Sequence, residues 1–185
     1  MVVVAGLSGA GRSTAADALE DLGWFVIDNL PPALIPRVAE LAESEAGNEY
    51  ARLALVVGIG PNHNQVLPNL EALRASGARV RTLFLDASTD ILVLRYKVGR
   101  RRHPMSSGPL GQAIDSERAQ LDQVRSAADL VIDTTNLNIH ELRDRVAQAF
   151  SVEGQAEAML TRVMSFGSVS LGILAFFLPS EMKGP

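Results

Sequence analysis

The chain has 185 residues, 21 acidic against 17 basic side chains for a formal charge of −4, and no cysteine. That length suits one domain with a short extension, and the mild negative charge is not that of a protein binding nucleic acid through its whole surface. The missing thiols exclude disulfides, thiolate catalysis and Cys-based zinc sites; they permit a reducing compartment, and a cytoplasmic location is expected.

Val2-Val3-Val4-Ala5 opens the chain as a short apolar strand, with no basic leader of the kind that marks a signal peptide. A Gly-rich loop follows, then a helical pattern over Thr14–Leu22 that Gly23 stops. Trp24-Phe25-Val26-Ile27 reads as a second, buried strand ending in Asp28-Asn29. Pro31-Pro32 breaks the chain and opens a helix over about Ala33–Ser44, and Gly47-Asn48 is a turn. Leu53–Val57 is a third strand, running into Gly58-Ile59-Gly60-Pro61, with a helix over about Asn64–Ser76.

Val80–Leu85 is a fourth strand ending in Asp86, and Ser88 or Thr89 caps a helix that runs to about Arg100. A loop from Arg100-Arg101-Arg102-His103-Pro104 to Pro109 precedes a helix over about Leu110–Ser126. Asp129–Ile132 is a fifth strand, ending in Asp133, and Ile139–Phe150 is a last amphipathic helix. Strands that alternate with helices, and whose apolar runs are continuous, predict an α/β fold. Its form is a three-layer parallel sheet of about five strands with helices on both faces. In such a sheet ligands bind at the carboxyl ends of the strands, where the loop after strand one, Asp28, Gly58, Asp86 and Asp133 all fall.

The loop itself, Gly6-Leu7-Ser8-Gly9-Ala10-Gly11-Arg12-Ser13-Thr14, has the spacing of a phosphate-binding P-loop with Arg12 in the Lys position. Glycines let the backbone turn, loop and helix-start N–H groups converge on phosphate, and the helix dipole adds positive charge. Arg12 supplies a forked cation, and Ser13 is the candidate ligand for Mg²⁺ bridging the phosphates of ATP or GTP. The bland alternative is a tight strand-to-helix turn that binds nothing.

Several segments together resemble the RapZ-type nucleotide-binding proteins. They are Gly6–Thr14, Leu19-Glu20-Asp21-Leu22-Gly23-Trp24, Asp28-Asn29-Leu30-Pro31-Pro32, Phe84-Leu85-Asp86-Ala87-Ser88, Arg95-Tyr96 with Arg101-Arg102-His103-Pro104, and Ala128–Thr134 with Asn136-Leu137. They keep their order over about residues 1–150, the expected nucleotide-binding domain. The resemblance implies a P-loop kinase-like domain that binds ATP and GTP, with weak hydrolysis at most, and a working site with Arg in place of Lys. In full-length relatives it also implies a role as RNase adapter that presents a small RNA through a second domain.

Two departures bear on those expectations. Relatives carry an Asp-Val-Arg motif after strand three, where this chain has Gly58-Ile59-Gly60, so GTP preference and Mg²⁺ organisation lose their expected carboxylate. Residues 151–185 read as a linker and a truncated or divergent start of the second domain: Val163–Gly167 resembles its opening, but Ser168 onward does not continue it. The apolar run Leu171–Leu178 is too short to span a bilayer, so no membrane is expected, and it favours self-association.

Arg12 and Asp28 are the catalytic candidates, Asp28 holding water or substrate; its alternative is a cap on the Pro-Pro turn. Asp86 and Asp133 read as turn or cap residues, with the alternative that Asp28 or Asp86 partly substitutes, through water, for the carboxylate missing after strand three. Arg101 and Arg102, with Arg95, Lys97 and Arg100, form a basic cluster with three readings: a lid over the phosphates, an RNA contact, or a solvated helix end. His63, His103 and His140 lack metal-ligand spacing. Three functions follow from these residues: a nucleotide-binding regulator, a small-molecule or nucleotide kinase, and an RNA-binding adapter.

Overall fold

The apolar runs become the strands of a single sheet. The computed structural model describes residues 1–43, 52–58, 63–99 and 109–151. Its elements are β1 (Val2–Gly6), α1 (Arg12–Asp21), β2 (Phe25–Leu30), α2 (Ile35–Glu43), β3 (Leu53–Val57), α3 (Val66–Ala75), β4 (Arg81–Asp86), α4 (Thr89–Gly99), α5 (Leu110–Ser126), β5 (Leu130–Asp133) and α6 (Ile139–Phe150). Short 3₁₀ turns, Pro32–Leu34 and His63–Gln65, lead into α2 and α3. The Gly47-Asn48 turn, Ile59–Pro61, the Arg100–Pro104 segment and everything after Ser151 lie outside the described residues.

The strand order is β2-β3-β1-β4-β5, and every pairing is parallel. β1 lies in the middle, with Val2 opposite Ala54 on one side and Arg81 on the other. All five residues of β1 and of β3 are buried, which is why they read as unbroken apolar runs. β2 departs from expectation. It is an edge strand, with Phe25 48% exposed and Val26 and Ile27 half-buried. An apolar run therefore did not mean two covered faces here.

The connection leaving β1 runs toward one edge and that leaving β3 crosses toward the other. Right-handed crossovers in opposite directions put their helices on opposite faces of the sheet. α1 packs on α6 and on β1, while α5 packs on α3, α4 and β1. The amino end of the sheet is closed by Trp24 edge-on to Phe150, ring centroids 6.2 Å apart, with the Arg81 guanidinium 4.8 Å above the Phe150 ring. The carboxyl end of β1 is thereby left for the loop.

α1 ends as its sequence predicts: Gly23 takes φ 78°, its N–H donates to Glu20 O, and Trp24 N–H donates to Leu19 O. α6 starts with a capping box, Glu141 N–H donating to Asn138 Oδ1 at 3.0 Å and Asn138 N–H to Glu141 Oε2 at 2.8 Å. Among the described residues no helix is long and apolar enough to cross a membrane.

Candidate functional site

The loop between β1 and α1 is held at both ends by backbone contacts. Gly6 has φ 151°, and a Cβ there would sit 2.4 Å from Leu85 O, so β1 and β4 approach closely only because this residue is glycine. Leu7 N–H donates to Leu85 O at 3.1 Å, and Ala10 N–H closes a turn on Leu7 O at 3.0 Å. The first helical hydrogen bond of α1 runs from Ala15 N–H to Gly11 O. The N–H groups of Arg12, Ser13 and Thr14 therefore belong to the helix start, which has no intrahelical acceptor for them. Gly9 and Gly11, at φ 85° and 105°, turn the loop over them.

A cavity of about 520 Å³ opens from this loop. Gly9, Ala10, Gly11 and Thr14 form one end, Arg95 and Thr134 a side wall, and Leu137, Asn138, Ile139, His140 and Leu142 the far wall. Arg95 ties that wall to the loop. It donates to Gly9 O at 3.1 Å, to Thr134 Oγ1 at 3.0 Å and to Thr134 O at 2.6 Å. Burial lowers the pKa of Arg95, and the Asp133 charge opposes this. Thr134 is buried, and its hydroxyl donates between Ala10 O and Asp86 O, 2.9 and 3.1 Å away.

Arg12 lies on the other side of the loop. Its Nη1 donates to Val57 O, at the carboxyl end of β3, at 2.5 Å. Around it Ala5, Gly6, Val57, Gly58, Val66 and Leu121 leave a hollow of only about 10 Å³. Burial lowers the Arg12 pKa, and the charges of Glu117, Asp28 and Tyr96 oppose this. Ser8 is buried, and its N–H donates to Glu117 Oε1 at 3.0 Å. Asp28 is exposed in β2 and accepts from Asn29 N–H at 2.7 Å.

The residues at hand do not make a metal site of their own. Ser13 offers an exposed hydroxyl, but the end of β3 carries Gly58, and the neighbouring carbonyl is taken by a guanidinium. A Cβ at Gly58 would come within 2.7 Å of Asn29 Oδ1, so the Asn29 side chain stands where one would begin. Asp86 is committed elsewhere, to Arg118 Nη1 at 2.5 Å and Arg125 Nε at 3.0 Å. The stretches 59–62 and 100–108 contain no Asp or Glu. Among the described residues there is no cluster of three or more His, Asp or Glu that would hold a metal ion.

Of the expected site residues, Gly9, Ala10, Gly11 and Thr14 line the large cavity, Ser13 is exposed at the helix start, and Gly6, Leu7 and Ser8 build the back of the loop. Arg12 lies on the β3 side, away from that cavity, and the charge of exposed Asp28 in β2 acts on it. Arg101 and Arg102 lie outside the described residues. Asp133 is a turn residue as expected, accepting from Thr135 N–H and Oγ1. Asp86 is more than a cap: it joins β4 to two arginines of α5. Sequence reasoning passed over Glu117, Arg118 and Arg125. All three stand in a helix with charges on every turn, and nothing local distinguishes them.

Similarity to known proteins agrees with this architecture. Shikimate kinase from Acinetobacter baumannii superposes with a TM-score of 0.55 at 19% identity, covering 80% of this chain and 90% of that one. Shikimate kinase from Aquifex aeolicus gives 0.54 at 18%, covering 84% and 98%. At such identities these show the fold alone. Among curated relatives, proteins named nucleotide-binding protein are 47% identical over 170 residues in Streptomyces coelicolor and 48% over 173 in Nocardia farcinica. Each match covers 90% of this chain, which spans 56% and 54% of those proteins, about half their length. The model of the RapZ-like N-terminal domain matches residues 1–154, and the chain belongs to that family.

Proposed function

We propose that this chain binds a purine nucleoside triphosphate, ATP or GTP, as a regulatory nucleotide-binding protein with weak hydrolysis at most. The observation that carries the reading is the cavity of about 520 Å³ that starts at the Gly9–Thr14 loop and ends against Leu137, Ile139 and His140. Its size suits a nucleotide-sized ligand. Phosphates would meet the loop and the α1 start, where orphan N–H groups and the helix dipole favour anions. The base would lie toward Leu137 and Ile139, with Asn138 and His140 as polar neighbours. The relatives' shared name supports the same ligand class.

Weak turnover follows from the β3 side. β3 runs into Gly58 and not into a carboxylate that could organise a metal or water, and Arg12 rests on Val57 O. Mg²⁺, when present, would be held by the nucleotide's own phosphates and the Ser13 hydroxyl. The rival reading, a small-molecule kinase, draws on the Asp28 carboxylate as an acceptor-side group whose charge acts on Arg12. It needs an acceptor pocket there, and the described residues leave about 10 Å³.

Calorimetric titration with ATP and with GTP, each in Mg²⁺ and in EDTA, tests the proposal. Micromolar binding of at least one, little changed by EDTA, is the expected result. Absence of binding for both would refute it. Rapid phosphoryl transfer to any of a panel of small hydroxyl acceptors would favour the kinase instead.

A further inference from the structure

Glu117 is a charged residue buried to 1% exposure against the loop, and the reading above gives it no role. It comes from the middle of α5, one turn before Leu121, which lines the small hollow around Arg12. Its Oε1 accepts the Ser8 N–H at 3.0 Å, a contact between residues 109 positions apart in the chain. Ser8 Oγ is buried without a partner among the described residues, so anchoring of Ser8 falls on its amide. A carboxylate on a P-loop amide puts negative charge behind the loop that is built to take an anion. The same carboxylate is among the charges that favour the cationic form of Arg12.

We propose that Glu117 is a positioning residue for the phosphate site: its carboxylate anchors the loop through Ser8 N–H and, as counter-charge, keeps the Arg12 guanidinium docked at the end of β3, away from the nucleotide cavity. This rests on the nucleotide-binding reading for its consequence, but its geometry stands without it. Two effects of Glu117 oppose each other. Anchoring preorganises the loop and aids binding. The negative charge repels phosphate and holds back the cation that would meet it. The carboxylate therefore sets affinity from behind the loop.

Two substitutions separate these effects. Glu117→Gln keeps an acceptor for Ser8 N–H and removes the charge. Glu117→Ala removes both and leaves a buried N–H orphaned. The full chain would be measured by calorimetry with ATP and GTP, by thermal melting, and by phenylglyoxal modification of Arg12 mapped by peptide mass spectrometry without nucleotide. E117Q is expected to melt close to the unsubstituted protein, bind nucleotide about tenfold more tightly, and expose Arg12 to faster modification. E117A is expected to melt lower and bind more weakly than E117Q. Unchanged Arg12 reactivity in a folded E117Q would overturn the proposal, as would E117Q binding nucleotide no more tightly than an unsubstituted chain that does bind it. If no variant binds nucleotide but Arg12 becomes reactive in E117Q, the docking of Arg12 stands and the nucleotide reading falls.

Discussion

At Gly6 the chain has no alternative residue. The β1–β4 pairing brings Leu85 O to 2.4 Å from where a side chain would start, and the φ of 151° is one that L-residues rarely take. Gly6→Ala is expected to destabilise the fold by about 3 kcal/mol or more, read as a shift of the urea midpoint. Asp133 makes a different kind of contribution. The Thr135 hydroxyl, and then its backbone N–H, hold the Asp133 carboxyl below its ordinary value of 3.8. A carboxyl depressed in the folded state adds stability above the unfolded-state pKa, and that stability is lost as the pH falls through the folded value. The window lies below about pH 4, and the effect is small because Asp133 is largely exposed and screened. Thr135→Val should lose less melting temperature than the unsubstituted chain between pH 6 and pH 3; an equal loss would show that the contact is not linked to protonation. The glycine spacing made the loop legible in the sequence. The resting place of Arg12 was not, because a long side chain's direction follows its acceptor, here Val57 O, far away in the chain. Nor was the neighbour of Gly58, since that crowding comes from Asn29, held at φ 54° on another strand.

Elements were legible in proportion to how local their signals are. α5 runs over Leu110–Ser126 and α6 over Ile139–Phe150, both as their sequences predict. β3 spans Leu53–Val57, again as read. α6 carries both stabilising and functional weight, since its cap residue Asn138 also lines the cavity. Removing the cap by Asn138→Ala is expected to cost about 1 kcal/mol, measured by chemical denaturation, and to loosen the far wall where the base is proposed to lie. The element least legible was α5. Its Glu117 reaches the loop while Arg118 and Arg125 grip Asp86, and Leu121 packs beside Arg12. A sequence shows these as an ordinary amphipathic helix with alternating charge. Only the packing of α5 against β1 and β4 gives those charges different jobs.

For the molecule as a whole, the alternation of strand and helix disclosed the parallel sheet, and position in the sheet escaped it. Nothing in Phe25-Val26-Ile27 says edge; the strand order does. That order also has a consequence in time. Of the five strands of the sheet the central one is made first, yet its neighbours begin at Leu53 and Arg81. Domains made on the ribosome emerge N-terminus first. The five-residue apolar β1 must therefore wait, unpaired on one side at least, until β4 has appeared. Sheets closed by distant pairings fold slowly for the same reason, because loop-closure entropy is lost before contacts repay it. The nascent chain is thus most vulnerable to aggregation before Asp86 is made, and the Gly-rich loop after β1 acquires its shape only when Leu85 arrives to receive Leu7 N–H.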